Sequence, residues 1–194
     1  MSEMITMLFA TALFQNVVLT TGFGSSLALR VIHRKSDIWM FGGILSFFLI
    51  TTMAIDYPLD NWLGFGVWAK LLRPLVMVVV AMALYCGVTL LTARISVPFY
   101  HKLKPYLVPA VFNDLTLGLA MVANHKITLT FWGTMGLAVG SCLGFMLMGW
   151  IILEGRFRIN AHAVPRAFRG APVILIYLGI AALAMLGFGS SILL

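Results

Sequence analysis

The sequence predicts an all-α integral membrane protein: six transmembrane helices in two three-helix halves, with the first and fourth helices broken. Three observations point there. Of 194 residues, 61% are hydrophobic and 10% charged, with a mean hydropathy of +1.02; a soluble domain carries about 25% charged residues. The apolar residues gather into six runs, each near the ~20 residues a helix needs to cross the hydrocarbon core. Two runs, each the first of its half, are interrupted. One interruption is Gly22-Phe23-Gly24-Ser25-Ser26, with Asn16 upstream; the other is Pro109-Ala110-Val111-Phe112-Asn113-Asp114. Broken membrane segments at corresponding places in two halves mark a functional centre within the membrane.

Run one spans Met4–Leu29 and is expected to be discontinuous near Gly22–Ser26. It is too long for a signal peptide and lacks the basic start and small-residue cleavage site. Run two covers Ile38–Ile55, with Ser36 or Asp37 as N-cap and Asp56-Tyr57-Pro58 as its stop. Run three is Lys70–Leu91, run four Tyr106–Asn124 and run five Thr128–Leu153. Run six, Pro172–Ile192, is introduced by Gly170 and Pro172. The chain thus reads as one membrane domain, 1–194, with halves of about 1–98 and 99–194. No loop reaches ~30 residues, well under the ~50 of the smallest typical domain. Nucleotide, flavin or soluble-substrate chemistry must therefore belong to partners.

The net charge of +7 is a matter of topology, not of nucleic-acid binding. Arg30, Arg34 and Lys35 follow run one, Arg94, Lys102 and Lys104 follow run three, and Arg156, Arg158, Arg166 and Arg169 follow run five. These ten of the thirteen basic residues share one side, leaving Lys70, Arg73 and Lys126 on the other. The positive-inside rule puts the ten in the cytoplasm, so both termini face outward. Trp39, Trp62, Trp68, Trp132, Trp150, Tyr57, Tyr100 and Tyr106 lie near run ends, where amphipathic rings anchor at the interface. Gly136, Gly140 and Gly144 form a stripe in run five that lets another helix approach closely. The segment from Glu154 to Gly170 reads as a topology-setting loop with lipid headgroup contacts, or as a docking surface for an acidic partner.

Asp114 is the carboxylate that falls well inside an apolar run; Glu3, Asp37, Asp56, Asp60 and Glu154 fall at ends or in loops. An ionisable group at that depth costs at least ~2.5 kcal/mol to insert, which marks either a functional position or a protonated acid bonded to a backbone group that the break frees. Ser25, Ser26, Thr20, Thr21 and Thr116 are placed to satisfy backbone groups that the breaks expose, and Asn16 and Asn113 to bridge the broken helices. Cys86 and Cys142 read as small buried packing residues. His33, His101, His125 and His162 lie in loops or at helix ends. The chain shows no catalytic triad, phosphate loop or histidine-based metal motif.

Four stretches carry a family resemblance across essentially the whole chain. They are Asn16-Val17-Val18-Leu19, Ser96-Val97-Pro98, Asn113 through Leu117-Gly118, and Val164-Pro165-Arg166-Ala167-Phe168-Arg169-Gly170, the last being the most specific. On them the chain resembles the A/E-type membrane subunits of the Rnf complex and the related D/E subunits of the sodium-pumping NADH:quinone reductase. The outward termini suit the A-type, or its reductase E-type equivalent. The resemblance implies an inverted-repeat fold in the bacterial inner membrane, paired with a homologous six-helix subunit of opposite topology. It also implies neighbouring subunits that carry flavin and iron–sulfur groups. Between the two homologues it implies a [2Fe–2S] cluster, each contributing one cysteine from the broken first helix and one from the broken fourth.

This sequence departs from that pattern at both positions. The first cysteine position falls on Ser26 and the second on Asp114, whereas thiolate is the expected cluster ligand. Cys86 and Cys142 lie in unbroken runs and are not assumed to replace them. The expectation is a membrane subunit of an Rnf-like electron-transport and ion-translocating complex with altered or lost cluster ligation. A cluster with oxygen ligands, or one held by the partner's cysteines, is the form it could still take. The alternative functions are a cation or proton conduit centred on Asp114, beside Asn16, Gly22, Gly24 and Asn113, and an assembly scaffold without electron transfer.

Overall fold

The first apolar run does not fold as one helix. The computed structural model, which describes residues 2–14, 16–63, 67–119, 130–159 and 164–190, divides it into four pieces. These are α1 (Ser2–Phe9), a π-helical turn (Ala10–Phe14), α2 (Val17–Thr21) and α3 (Ser25–Val31). The interruption expected at Gly22–Ser26 is present, and a further one precedes it at Asn16. Then follow α4 (Lys35–Leu63), α5 (Val67–Ile95), α6 (Val97–Val111), α7 over 114–119, α8 (Phe131–Arg158), a 3₁₀ turn (Arg166–Phe168) and α9 (Ala171–Ser190). The described residues contain no strand.

Three boundaries differ from the sequence expectation for identifiable reasons. Pro58 is not the stop of run two: α4 continues through it to Leu63. An interior proline removes one hydrogen bond, to the carbonyl four residues back, and this helix absorbs that loss. In consequence Asp56 is a mid-helix residue only 4% exposed, not a loop residue. Neither Ser36 nor Asp37 is the cap residue of α4, which starts at Lys35. Asp37 acts from within the first turn, its Oδ2 accepting the N–H groups of His33 at 3.0 Å and Arg34 at 2.8 Å, the acidic half of a capping box. Run four, expected from Tyr106, begins instead at Val97, with Pro98 in the first turn where a missing N–H costs nothing. It passes Pro105 and Pro109 and breaks at Phe112–Asn113.

Helices α4, α5 and α8 are long and apolar enough to cross a membrane, and the apolar stretch of α9 is shorter. Runs one and four, being divided, supply no single helix of that length among the described residues. Helix α8 carries the core. Two-thirds of its apolar span (67%) is buried against 17% for α5, and it packs on α1, the π turn, α2, α3, α4 and α9. Apolar lipid gives helices little hydrophobic reason to associate, so close backbone approach and shape must do the work. The glycine stripe provides it. A Cβ on Gly140 would lie 2.7 Å from the Leu8 carbonyl oxygen, and one on Gly144 would lie 2.8 Å from Asn16 Oδ1. Gly136 faces the Met4 backbone in the same way. The neighbour of the stripe is therefore the broken first helix of this same chain.

Around α8 the core is filled by Phe41, Phe48, Phe145, Leu45, Leu107, Leu115, Met148 and Ile152, all essentially inaccessible. The Phe41 and Phe145 rings meet with centroids 5.8 Å apart. Trp39, Trp62, Trp132 and Trp150 are exposed on the outside. Cys142 is buried, but Cys86 is exposed on α5, which corrects the expectation that both are packing residues. Helix α5 turns most of its apolar surface outward, and Cys86 lies on that surface. His125, His162 and Lys126 lie outside the described residues.

Candidate functional site at the meeting of two helix breaks

Asn16 stands where the π turn gives way to α2, and it is fully buried. Its Oδ1 accepts the Leu19 N–H at 3.1 Å, capping α2. Its Nδ2 donates to the Ala12 carbonyl at 3.4 Å and, across to α8, to the Gly144 carbonyl at 3.3 Å. Thr20 returns both its N–H (2.8 Å) and its hydroxyl (3.0 Å) to the Asn16 carbonyl. In a membrane every freed backbone group must find such a partner. Five residues of α2 follow before Gly22 ends the helix at φ +75°, and Gly24, at φ +76°, begins α3. Left-handed backbone of this kind is cheap only for glycine.

Asn113 does the same at the second break. Its Oδ1 accepts the Thr116 N–H at 2.7 Å, and its Nδ2 donates back to the carbonyls of Pro109 (2.9 Å) and Ala110 (2.8 Å) and to Thr116 Oγ1 (3.1 Å). Thr116 Oγ1 in turn donates to the Ala110 carbonyl at 3.0 Å. At both breaks an asparagine accepts the N–H three residues ahead and donates to the carbonyl four residues behind.

The glycine interruption at Gly22–Gly24, one short helix beyond Asn16, touches the second break. The Gly24 N–H donates to Asp114 Oδ1 at 3.1 Å, joining residues ninety apart in the chain. Packing locks the same junction. A Cβ on Gly24 would stand 3.2 Å from the Phe145 ring and 3.5 Å from Leu115, and one on Gly118 would stand 3.0 Å from the Phe23 ring. Beside the junction lies an open groove of about 650 Å³, lined by Ser26, Leu27, Arg30, Val108, Pro109, Phe112, Asn113 and Asp114. Ser26 and Asp114 are exposed on it. Of the residues singled out in the sequence, Ser26, Asn113 and Asp114 line the groove and Gly24 holds Asp114. Asn16 and Gly22 stand behind it and shape the backbone.

Two functional candidates emerge only from the structure. Arg30 reads in the sequence as a topology charge, although its spacing from Ser26 places both on one face of α3 and both line the groove. Asp56 reads as part of a helix stop and is instead deeply buried.

The donor set of the groove does not suit a thiolate-held cluster. Its oxygen donors are the Ser26 hydroxyl, the Asn113 amide and the Asp114 carboxylate, and Arg30 adds a positive charge. Cys86 and Cys142 are on α5 and α8 and do not line it. Among the described residues no three His, Cys, Asp or Glu side chains come together. A [2Fe–2S] cluster is held by cysteine thiolates, with histidine the usual substitute, so Ser26 and Asp114 do not fit that group.

No family model matches the chain. Full-length relatives do. It is 31% identical over 188 residues to the A-type subunit of the ion-translocating oxidoreductase complex of Aromatoleum aromaticum, covering 96% of each chain. The corresponding protein of Pasteurella multocida is 30% identical over 190 residues, with 97% of each chain covered. That of Glaesserella parasuis is 28% identical over 193 residues, again with 97% of each covered. The chain belongs to this family of A-type subunits. With its apolar helices, that makes it an integral membrane protein. The match spans nearly the whole chain, the stretches that form both breaks included.

Proposed function

We propose that this chain serves as the A-type membrane subunit of an ion-translocating oxidoreductase complex and does so without thiolate ligation of a cluster in its own half of the intramembrane centre. One observation carries the reading: the two positions where the family resemblance puts cysteines, Ser26 and Asp114, come together on one groove, and Asp114 is bonded to the first break through Gly24. A carboxylate accepting a backbone N–H, together with the packing of Phe145 on Gly24 and Phe23 on Gly118, ties the junction without a metal group. In this reading the six runs cross the membrane as two inverted three-helix repeats. Both termini lie outside the cytoplasm of a bacterial inner membrane. The groove faces a homologous subunit of opposite topology, and flavin and iron–sulfur chemistry resides in other subunits.

Asp114 on an open groove is also what a cation conduit would use. Arg30 on the same groove opposes it, since a fixed guanidinium raises the energy of a cation nearby. Asp114→Asn in the assembled complex separates the two: unchanged ion movement supports the architectural reading, and lost ion movement supports the conduit.

The direct test co-expresses the chain with its nearest membrane partner and measures iron, acid-labile sulfide and the electron paramagnetic resonance spectrum of the reduced pair. The expected result is an intact pair with less than one cluster's content. Two irons and two sulfides per pair, the content of one [2Fe–2S] cluster, with a cluster signal, would overturn the reading.

A further inference from the structure

A second cavity, of about 330 Å³, opens where α8 ends and α9 begins. It is lined by Arg156, Arg169, Gly170 and Ala171 and by the apolar Ile159, Val164, Val173 and Ile174. Two arginines thus line one cavity. Each is oriented by a backbone carbonyl: Arg156 Nη2 donates to Leu29 at 2.7 Å, and Arg169 Nε donates to Val164 at 3.0 Å. Neither has a carboxylate partner among the described residues. The neighbouring Glu154 is bonded to Arg158 at 3.1 Å, and Arg156 Nε is buried without a hydrogen-bond acceptor. A buried unsatisfied donor on a charged group calls for a missing acceptor, and Arg169, an exposed cation lining the same cavity, favours an anionic one. The first turn of the 20-residue α9 sits at the rim, with Gly170 at φ +87° just before it, adding free N–H groups and the positive end of the helix dipole.

From this we infer that the cavity binds the phosphodiester headgroup of an anionic phospholipid. The apolar wall distinguishes a lipid from a soluble anion, since a free phosphate gains nothing from Ile159, Val164, Val173 and Ile174. The flanks agree: Phe157 is 76% and Phe168 50% exposed, a setting suited to acyl chains and not to water. Basic pockets between membrane helices are known to hold such headgroups. The consequence reaches the groove. Leu29 lies in the last turn of α3, so the arginine that holds the lipid also fixes the helix that carries Ser26 and Arg30. Which leaflet is involved rests on the orientation proposed above; the binding chemistry does not.

The test uses the complex purified in detergent, with retained lipid identified by native mass spectrometry and by extraction. Wild type is expected to keep phosphatidylglycerol or cardiolipin in preference to phosphatidylethanolamine. Arg169→Gln is expected to keep about fivefold less, the effect of one basic residue at a membrane surface. Arg158→Gln, which removes an equal charge from the end of α8 but does not line the cavity, is expected to keep as much as wild type. Because Arg156→Gln also releases Leu29 and could loosen the fold, Arg156→Lys serves as its folded counterpart and should show a smaller loss. Unchanged retention in Arg169→Gln overturns the proposal, as does an equal loss in Arg158→Gln, which would mean diffuse charge attraction. Displacement by millimolar inorganic phosphate as readily as by added phosphatidylglycerol overturns the lipid assignment in favour of a soluble anion. These outcomes are read on bound lipid, so they do not depend on the orientation or the cluster content of the protein.

Discussion

The two helix breaks use the same side chain for the same job, yet they are anchored differently. Asn16 and Asn113 both accept an N–H three residues ahead and donate to a carbonyl four residues behind. Asn16 then reaches across to Gly144 on α8, in a run of contacts where Gly136 and Gly140 admit the first helix to backbone distance and Gly144 admits the Asn16 amide. Asn113 stays local, completing its set with Thr116. The first break is thus a tertiary feature, fixed from outside by the central helix. The second is a local latch, and the Asp114–Gly24 bond ties it to the glycine turn that follows α2, one short helix beyond Asn16. The implied hierarchy runs from α8 to break one to break two to the groove.

That hierarchy can be broken at its root. Gly140→Ala puts a methyl group 2.7 Å from the Leu8 carbonyl oxygen, and backbone cannot step aside as a flexible side chain can. It is expected to push α1 off α8 and cost about 1–3 kcal/mol or more, lowering the melting temperature and releasing the first break. Gly43→Ala and Gly179→Ala, where an added methyl meets nothing within 4 Å, are the controls and should change little. Thermal unfolding of the purified complex, followed by size exclusion, reads both. A Gly140→Ala protein as stable as its controls would mean that the first break is not held by α8.

The second comparison is sharper and smaller. Asn16→Ala removes a fully buried amide with its cap bond and its bond to α8, whereas Asn113→Ala removes bonds made within one turn of chain. Loss of a hydrogen-bonding partner in a buried site costs about 1–3 kcal/mol. Asn16→Ala is expected at the upper end and Asn113→Ala at the lower. Amide hydrogen exchange should show faster opening of both α1 and α2 in the first case, and of the turn around Thr116 in the second. Equal costs would argue that the reach to Gly144 adds nothing.

The parts of this arrangement legible in the sequence are those written in local chemistry. Two glycines two apart in an apolar run, or Asn-Asp after two prolines, cannot continue a membrane helix undisturbed, and both breaks occur near where that chemistry puts them. The stripe of glycines announces a close helix contact for the same reason. Pairing is not legible in this way. Nothing in the spacing says that Gly24 meets Asp114, that the stripe receives the chain's own first helix, or that Arg30 belongs with Ser26. Helix α4 outruns its expected stop because the one hydrogen bond lost at Pro58 is small beside the packing of a 29-residue helix. Asp56, two residues before that proline, is carried into the interior by the same continuation.

The finest comparison lies within the groove, between its two oxygen donors. Asp114→Ala removes the acceptor of the Gly24 N–H and is expected to cost about 0.5–1.5 kcal/mol, the net worth of one hydrogen bond. Asp114→Asn keeps an amide oxygen in the same place and is expected to recover most of that loss, which ascribes the stabilisation to the bond and not to the charge. Ser26 is exposed, and no hydrogen bond from its side chain to another described residue is found. Its replacement by alanine should therefore fall within ~0.5 kcal/mol of wild type, as surface substitutions do. If the groove were a ligand site built on both oxygens, the two alanine variants would lose function together and Asp114→Asn would not rescue. If Asp114 is the tie between the breaks and Ser26 merely fills a former ligand position, only Asp114→Ala weakens the protein, and its asparagine counterpart restores it. The three variants, compared for melting temperature and for complex activity in one preparation, distinguish a pair of ligands from a single structural bond.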